Sequence, residues 1–344
     1  MKIFEGYQKG INLGGWLSQN DSFEKEHFET FITENDIKEI ASWGLDHVRV
    51  PVDYVILEEE DGTPKEEGFA YVTNCISWCK KYGLHMILDL HKTYGYTFDP
   101  LDDGDKEIFF HDEVLQNRFI QTWKEIAARY GSDSDMVAFE LLNEIVSPNV
   151  VEEWNNIVKK VVPEIRSIAP DTYIIFGGVC YNNVTSVPGL IKPFADKLVY
   201  TFHCYDPLIF THQKAYWVKN MTKDFDMAYP DTVEAYQEKS IQFSQELVGA
   251  INEHGIKNIG PELFEALFSP ATKTAMERDV PLYCGEYGVI DQAPLPDTVR
   301  WLKDINAAFK KYNIGRALWT YKSKDFGITD PHYAEVKEEM IQLL

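Results

Sequence analysis

Residues 136–144 read MVAFELLNE, an apolar run that includes Glu140 and closes on Asn143 and Glu144. Short apolar runs with little polar alternation are typical of strands in a parallel sheet that is covered on both faces. A carboxylate inside such a strand is costly to bury without a partner. The two glutamates therefore each require a structural or a functional explanation.

Seven further runs share this character and are separated by amphipathic helical patterns; they span residues 9–15, 45–52, 84–91, 172–178, 197–205, 280–288 and 314–322. Thr33 is the expected N-cap of one helix, and Gly44, Gly83 and Gly131 are the expected residues just beyond helix ends. Eight strand–helix units predict an α/β fold, a closed (β/α)8 barrel (TIM barrel) that forms a single domain over residues 1–344.

The connection from Asp206 to Asp279 is too long for a simple crossover and contains further helical patterns. We predict that residues 206–279 form a helical subdomain inserted after the sixth strand. Loops that follow barrel strands lie on the catalytic face, so we expect this subdomain to wall or cover the active-site mouth.

The charge balance narrows the possible partners. The chain has 33 Lys and Arg against 55 Asp and Glu, a formal net charge of −22. Such a field repels nucleic acids and polyanionic polysaccharides, but it does not repel a neutral polymer. The five cysteines have an odd count and scattered positions, which argues against a disulfide framework and against a cysteine metal site.

The N-terminus lacks a continuous apolar segment, and no apolar run reaches membrane-spanning length. We expect no membrane association, and a cytoplasmic location for the chain as it stands or a secreted one if a signal peptide has been removed. We expect a monomer.

Polar and aromatic residues stand at the C-terminal ends of the predicted strands, where barrel enzymes carry their active sites. They are Arg49, Asp89, His91, Asn143, Glu144, His203, Tyr205, Glu286, Trp319 and Tyr321. Any one of them has an ordinary structural explanation, such as a buried ion pair or packing. Their joint occurrence at one end of one sheet predicts an active site.

Paired carboxylates without a metal or cofactor motif indicate glycoside hydrolysis. A retaining mechanism needs one carboxyl to protonate the leaving oxygen and another to attack the anomeric carbon, at a separation of about 5–5.5 Å. Glu144 and Glu286 end strands on opposite sides of the barrel mouth. HExxH, GxSxG, P-loop and dinucleotide motifs are absent from the sequence, so we expect no metal and no cofactor.

The ordered set of LLNE, CGEYG, DLH with His91, HVRVP with Arg49, His203-Cys204-Tyr205 and Trp319 resembles glycoside hydrolase family 5 from GINLGGW to WTYK, across essentially the whole chain. The segments GINLGGWLSQ, AFELLNE, FTHQKA and LYCGEYGVI are most similar to the compact endoglucanases of the endoglucanase C type, which act on cellulose-like and mixed-linkage glucans. GINLGGWL also resembles the exo-β-1,3-glucanases of the same family. The loop 92–110 matches no assigned pattern.

The resemblance implies that Glu144 is the acid/base and Glu286 the nucleophile of a retaining endo-β-glucanase. It implies a supporting set around them: Arg49, His91, Asn143, His203, Tyr205 and Trp319. Trp16 and Trp319 are the expected sugar platforms. The substrate partner would be a polysaccharide or oligosaccharide.

Depth along the strand separates the two glutamates of the opening stretch, which share one parity. Glu140 lies about 13 Å below Glu144, too deep to touch substrate, so we predict a structural carboxylate paired with Arg49 or a histidine. Asn143 and Glu144 have opposite parity, and both can reach the site only if regular alternation breaks at the strand end.

Two alternatives stay open within and beyond this class. An exo-β-1,3-glucanase or a mannan- or glucomannan-active enzyme would differ in whether the cleft is open or blocked at one end. A non-catalytic carbohydrate-binding barrel would bind sugar without turnover.

Overall fold

The computed structural model describes residues 1–243 and 255–344. Eight parallel strands follow one another around a closed barrel in chain order. They are β1 (Lys9–Asn12), β2 (His47–Asp53), β3 (His85–Lys92), β4 (Val137–Glu140), β5 (Ile174–Gly177), β6 (Leu198–Cys204), β7 (Leu282–Tyr287) and β8 (Gly315–Leu318). The predicted TIM barrel and its eight strands are confirmed.

Helices surround the barrel and cover the outer face of the strands. They are α1 (Glu34–Ser42), α2 (Glu66–Tyr82), α3 (Glu113–Tyr130), α4 (Val151–Ile168), α5 (Pro261–Glu277), α6 (Leu295–Tyr312) and α7 (Lys337–Leu343), with a 3-10 helix at Val184–Gly189 between β5 and β6. Every residue of β2, β4, β5, β6, β7 and β8 is buried, as expected for strands covered on both faces. Within the described residues, we find no helix long and apolar enough to cross a membrane.

An apolar layer fills the N-terminal end of the barrel. Ile87, Ala138 and Tyr283 point inward there and pack against Phe4 and other buried residues. The inward positions one level higher, two residues further along β3 and β4, are Asp89 and Glu140. The barrel interior therefore changes from apolar to charged toward its C-terminal face, and the charged layer carries the candidate site.

The predicted helix ends are mostly confirmed. Thr33 precedes α1, and its backbone N–H donates to the Asp36 carboxylate at 2.7 Å, as in a capping box. Gly44 and Gly83 follow α1 and α2 with φ of 78° and 72°, the left-handed conformation that favours glycine.

Gly131 also lies just beyond its helix, as predicted, but unlike Gly44 and Gly83 it is not left-handed. Its φ is −63°, and it continues from α3 into the 3-10 turn Gly131–Asp133. A Cβ at this position would lie 2.6 Å from the Cβ of Ala169. Glycine is needed here because the ends of α3 and α4 approach each other closely.

The long connection after β6 begins with the helix Leu208–Thr211. Two short strands, Asp231–Thr232 and Asn258–Ile259, then pair in antiparallel orientation. The helix Val233–Ser240 follows the first of these strands along the chain. Helix α5 then packs against α6 and the 3-10 helix after β5, which is the place of a regular barrel helix. The predicted subdomain 206–279 thus includes one barrel helix, and its residues 244–254 lie outside the described residues. The rings of His212 and Tyr205 lie 5.0 Å apart, so the start of this connection borders the C-terminal face of the barrel.

Gly131→Ala should lower the free energy of unfolding by about 1–3 kcal/mol, because the added methyl group overpacks the contact with Ala169. The double variant Gly131→Ala/Ala169→Gly should recover much of this loss relative to Ala169→Gly alone. Urea unfolding of the four proteins measures both effects. An equal loss in the two backgrounds would contradict the close-approach explanation.

Candidate active site

The Arg49 side chain lies fully buried in the barrel interior. Its Nε and Nη2 donate to the two carboxylate oxygens of Glu140 at 2.7 and 3.1 Å. Its Nη2 also lies 3.0 Å from Oδ2 of Asp89. The predicted pairing of Glu140 with a buried donor is therefore confirmed, and the donor is Arg49.

The same guanidinium reaches upward to the candidate nucleophile. Nη1 donates to Glu286 Oε1 at 2.8 Å and to Asn12 Oδ1 at 3.0 Å, and Nη2 donates to Asn143 Oδ1 at 2.9 Å. The Tyr205 hydroxyl donates to the other Glu286 oxygen at 2.9 Å. Both oxygens of Glu286 are thus held by protein donors, which fixes the carboxylate and favours its ionised form.

Glu144 faces Glu286 across the barrel mouth. Its Oε1 lies 2.8 Å from Nδ1 of His203, and one oxygen each of Glu144 and Glu286 lie within 4.8 Å of each other and of that histidine. The Glu144 side chain is 13% exposed and that of Glu286 is 7% exposed. The two carboxyls therefore lie close together in a largely desolvated site that solvent reaches at the Glu144 side chain.

His91 and Trp319 form a second wall of the site. The His91 ring and the Trp319 indole are parallel within 3°, with centroids 5.9 Å apart. His91 Nδ1 lies 2.5 Å from Asp89 Oδ2. Burial lowers the pKa of His91 to about 3, so the ring is neutral and its Nδ1–H donates to Asp89.

Burial raises the pKa of both candidate catalytic carboxyls. For Glu144 the charge of Glu286 adds to the effect of burial, and its pKa stands well above the ordinary value. For Glu286 burial also raises the pKa, but Arg49 and the Tyr205 hydrogen bond act in the opposite direction and stabilise its charge. A single proton shared between the two therefore resides on Glu144.

Local irregularities turn these side chains toward one point. Strand β4 ends at Glu140, so Asn143 and Glu144 follow in irregular backbone, as the parity argument requires. The register between β6 and β7 shifts after Phe202 so that His203 pairs with Glu286, leaving Gly285 as an extra residue. A Cβ on Gly285 would lie 3.0 Å from His203 Nε2, so only glycine fits without displacing that ring.

Two buried polar atoms near the carboxyls can each make a further hydrogen bond. The amide nitrogen Nδ2 of Asn143 and Nε2 of His203 have no hydrogen-bond partner. Such orphaned groups are costly unless a ligand or water satisfies them. Asn143 belongs to the set of residues that the family resemblance predicts around the two glutamates.

Among the described residues, one group could supply three metal-ligand atoms, and it consists of Glu144, His203 and Glu286. The donors of Arg49 and Tyr205 already occupy both oxygens of Glu286. A cation here would compete with these hydrogen bonds. The absence of a resident metal stays a prediction.

The sequence matches the family model for cellulase (glycosyl hydrolase family 5) over residues 7–325. The chain belongs to glycoside hydrolase family 5.

Two relatives of known name and one solved structure show what the chain is similar to. Endoglucanase C of Acetivibrio thermocellus is 39% identical over 346 residues, which cover 98% of each chain. Cellodextrinase A of Ruminococcus flavefaciens is 42% identical over 314 residues, covering 90% of this chain and 84% of its own. The solved structure of Thermotoga maritima Cel5A with mannotriose is 23% identical, covers 98% and 97% of the two chains and has a TM-score of 0.75, a likeness of fold.

The structure of this family 5 glycoside hydrolase brings eight of the nine predicted site residues together and separates one. Trp16 is fully buried, stacks against Trp78 and donates its indole N–H to Phe28 O at 2.9 Å. No face of Trp16 is open to a sugar, so its prediction as a platform is corrected to a packing role. Trp319, by contrast, is 7% exposed beside His91.

Two residues of the charged layer were missed as site residues. Asn12 accepts from Arg49 and donates to the Gly285 carbonyl at 2.9 Å, joining β1 to β7. Asp89 was noticed at its strand end but was not assigned to the site. The sequence did carry a signal for both residues. Each is a polar residue within an otherwise apolar predicted strand, Asn12 in GIN and Asp89 in LDL.

Glu140→Gln should lower the free energy of unfolding by about 1–3 kcal/mol, because its amide group turns one accepting oxygen toward Arg49 into a donor. Glu144→Gln should leave stability nearly unchanged and remove most of the hydrolytic rate. Thermal melts beside activity assays of the two variants make the comparison. A stable, inactive Glu140→Gln and an unstable, active Glu144→Gln would invert the two assignments.

The stability cost of Glu140→Gln should depend on pH. Burial raises the pKa of Glu140 from 4.5 to about 7, so the folded protein holds this proton more tightly than the unfolded chain. The stabilisation from that proton is complete below about pH 4 and is lost as the pH rises through about 7. The wild-type advantage over Glu140→Gln should therefore shrink between about pH 4 and 7 in urea unfolding; an advantage that grows over this range contradicts the assignment.

Proposed function

We propose that this chain is a retaining endo-β-glucanase that hydrolyses β-1,4- and mixed-linkage β-1,3-1,4-glucans by double displacement. Glu144 is the acid/base and Glu286 is the nucleophile. The observation that carries the proposal is the approach of the two carboxyls within 4.8 Å. Inverting enzymes need a wider separation, about 6.5–9.5 Å, to admit a water molecule between carboxylate and sugar.

The first half of the reaction forms a glycosyl ester. Glu286, kept ionised by Arg49 and Tyr205, attacks the anomeric carbon while Glu144 gives its proton to the departing glycosidic oxygen. His203 supports this role because its contact at Glu144 Oε1 leaves Oε2 free to carry the proton. The loss of the Glu144 proton is balanced by the neutralisation of the Glu286 charge in the ester.

The second half returns the enzyme to its starting state. Glu144, now ionised, removes a proton from a water molecule that attacks the same carbon, and Glu286 leaves. The ester bond breaks, the product keeps its starting anomeric configuration, and the proton is back on Glu144. The complete reaction consumes only the substrate and one water molecule.

Substrate binding follows from the groups around the carboxyls. The free amide N–H of Asn143 suits a sugar 2-OH, a contact that strengthens in the transition state. The Trp319 indole offers an apolar face for a pyranose ring. A net charge of −22 favours a neutral polymer over a charged one. The relatives named endoglucanase and cellodextrinase support a β-glucan.

The alternatives remain distinct in their outcomes. An exo-β-1,3-glucanase releases glucose from laminarin, and a mannan- or glucomannan-active enzyme favours mannose-containing chains. A non-catalytic carbohydrate-binding barrel binds sugar without turnover, which the paired carboxyls and their different proton affinities disfavour.

A panel of neutral polysaccharides tests the substrate class. Mixed-linkage β-glucan and carboxymethylcellulose should yield oligosaccharides, with at least about a 1,000-fold lower rate for Glu286→Gln and no loss of activity on chelation of metal ions. Laminarin, glucomannan and xylan complete the panel. Glucose alone from laminarin, or preference for glucomannan, would move the assignment to an alternative, and sugar binding without turnover would remove the enzymatic proposal.

Proton NMR during the first minutes of hydrolysis tests the stereochemistry. The β-anomer of the new reducing end should appear first, followed by slow mutarotation to the α-anomer. Early appearance of the α-anomer would mean inversion and would exclude a glycosyl ester on Glu286.

A further inference from the structure

The residues that follow β4 carry Glu144 although they belong to no strand or helix. A catalytic acid on irregular backbone needs an independent hold, because its proton must meet the glycosidic oxygen within hydrogen-bond reach. The start of this segment is tied to the barrel: Leu141 N donates to Ile175 O at 2.9 Å and Asn143 N donates to Leu90 O at 3.2 Å. Beyond Asn143 the partners are different.

Tyr96 holds the backbone on either side of Glu144. Its hydroxyl donates to the Glu144 carbonyl oxygen at 2.7 Å and accepts from the Val146 N–H at 2.9 Å. One phenol oxygen thus bridges the peptide that begins at Glu144 and the peptide that ends at Val146. Burial raises the pKa of this phenol, so the hydroxyl keeps its proton and can donate throughout the working range of the enzyme.

The position of Tyr96 is itself well determined. Thr93 and Tyr96 exchange backbone hydrogen bonds of 3.2 and 2.9 Å across a tight turn after β3, in which Gly95 has φ of 83°. The ring packs against Phe109 and Phe110 at centroid distances of 6.0 and 5.3 Å and is only 3% exposed. This turn and this aromatic contact fix the position of Tyr96 within the loop 92–110.

A second contact holds the same segment from the turn that follows the neighbouring strand, β5. The Tyr181 N–H donates to the Ile145 carbonyl at 2.9 Å. Cys180, Tyr181 and Asn182 have φ between 55° and 57°, a left-handed turn that is costly for residues with a side chain. Strain of this kind persists where the surrounding structure requires the conformation. The two peptide groups between Glu144 and Val146 are therefore held from both sides, by Tyr96 and by the Tyr181 backbone.

We propose that Tyr96 is a positioning residue for the acid/base Glu144, and that the loop 92–110 serves the chemistry by holding that backbone through the Tyr96 hydroxyl. The inference rests on the proposed function, since it assumes that Glu144 donates the proton. Tyr96 touches no reacting atom; it acts through the peptide of Glu144.

Tyr96→Phe deletes the hydroxyl and keeps the packed ring. Without it the Glu144 carbonyl and Val146 N–H lose their partner, and the acid can drift from the leaving oxygen. A displacement of about 1 Å costs about 100-fold in rate, so we expect a 10- to 100-fold lower kcat/KM where protonation is needed.

Substrates with different leaving groups distinguish a loss of Glu144 positioning from a general loss of enzyme activity. Cellotetraose has a poor leaving group that needs the proton of Glu144. The dinitrophenolate of 2,4-dinitrophenyl β-cellobioside departs without protonation. The value of kcat/KM reports the glycosylation step for both. Tyr96→Phe should lose 10- to 100-fold on cellotetraose and less than about threefold on the dinitrophenyl substrate.

Tyr94→Phe is the matched control, because Tyr94 belongs to the same loop and its ring packs under the Arg118 guanidinium at 3.7 Å. It makes the same chemical change two residues away and should leave kcat/KM on both substrates unchanged. Thermal melts establish that each variant is folded at the assay temperature.

Glu144→Gln distinguishes a failure of the inference from a failure of the proposed function. It should show the same selectivity for the activated substrate, with a larger loss on cellotetraose. If it does so and Tyr96→Phe loses equally on both substrates, or on neither, the positioning role is overturned while the acid/base assignment stands. If Glu144→Gln loses equally on both, the acid/base assignment and the inference fall together.

Discussion

A single guanidinium inside the barrel organises this enzyme. Arg49 on β2 bonds to Asn12 of β1, Glu140 of β4 and Glu286 of β7, and it lies beside Asp89 of β3. The planar guanidinium can bond to all of these partners only when the strands keep their register. The closed barrel and the geometry of the site therefore depend on each other. The apolar layer beneath it excludes water and makes each of these contacts stronger and each missing partner more costly.

The charge balance in that layer determines where protons reside. One buried cation faces three carboxylates, Asp89, Glu140 and Glu286, and Glu144 lies just beyond them. Burial raises the pKa of Asp89 and of Glu140 to about 7. Arg49 is directed at Glu286 and does not bond to Glu144. The proposed division of labour, an ionised nucleophile beside a protonated acid, follows from which carboxyl receives the guanidinium.

Much of this architecture could be predicted from the sequence, since it depends on periodic patterns. Eight apolar runs indicated the barrel, and the depth of Glu140 below Glu144 indicated a buried partner that proved to be Arg49. The residues at strand ends could be collected because parallel strands end at one edge. Each of these inferences needs only the alternation of a strand and the rule that active sites lie at its C-terminal end.

Other features depend on distances that no local pattern contains. Trp16 was misjudged because a tryptophan beside a glycine pair can face the mouth or the core, and its burial depends on Trp78 and Phe28. Gly131 lies beyond a helix end as predicted, but the sequence does not show that glycine is needed for a close approach to Ala169 and not for a left-handed cap. Tyr96 was not assigned because its bond to Glu144 joins two loops 48 residues apart.

The most direct test of the central claim is to trap the intermediate. Incubation with 2,4-dinitrophenyl 2-deoxy-2-fluoro-β-cellobioside, followed by mass spectrometry of the intact protein and of its peptides, locates any glycosyl ester. The account predicts one added 2-deoxy-2-fluorocellobiosyl group per chain, attached to Glu286, the carboxylate that Arg49 and Tyr205 hold. A label on Glu144 or on another residue, or turnover through an inverted product with no label, would contradict it.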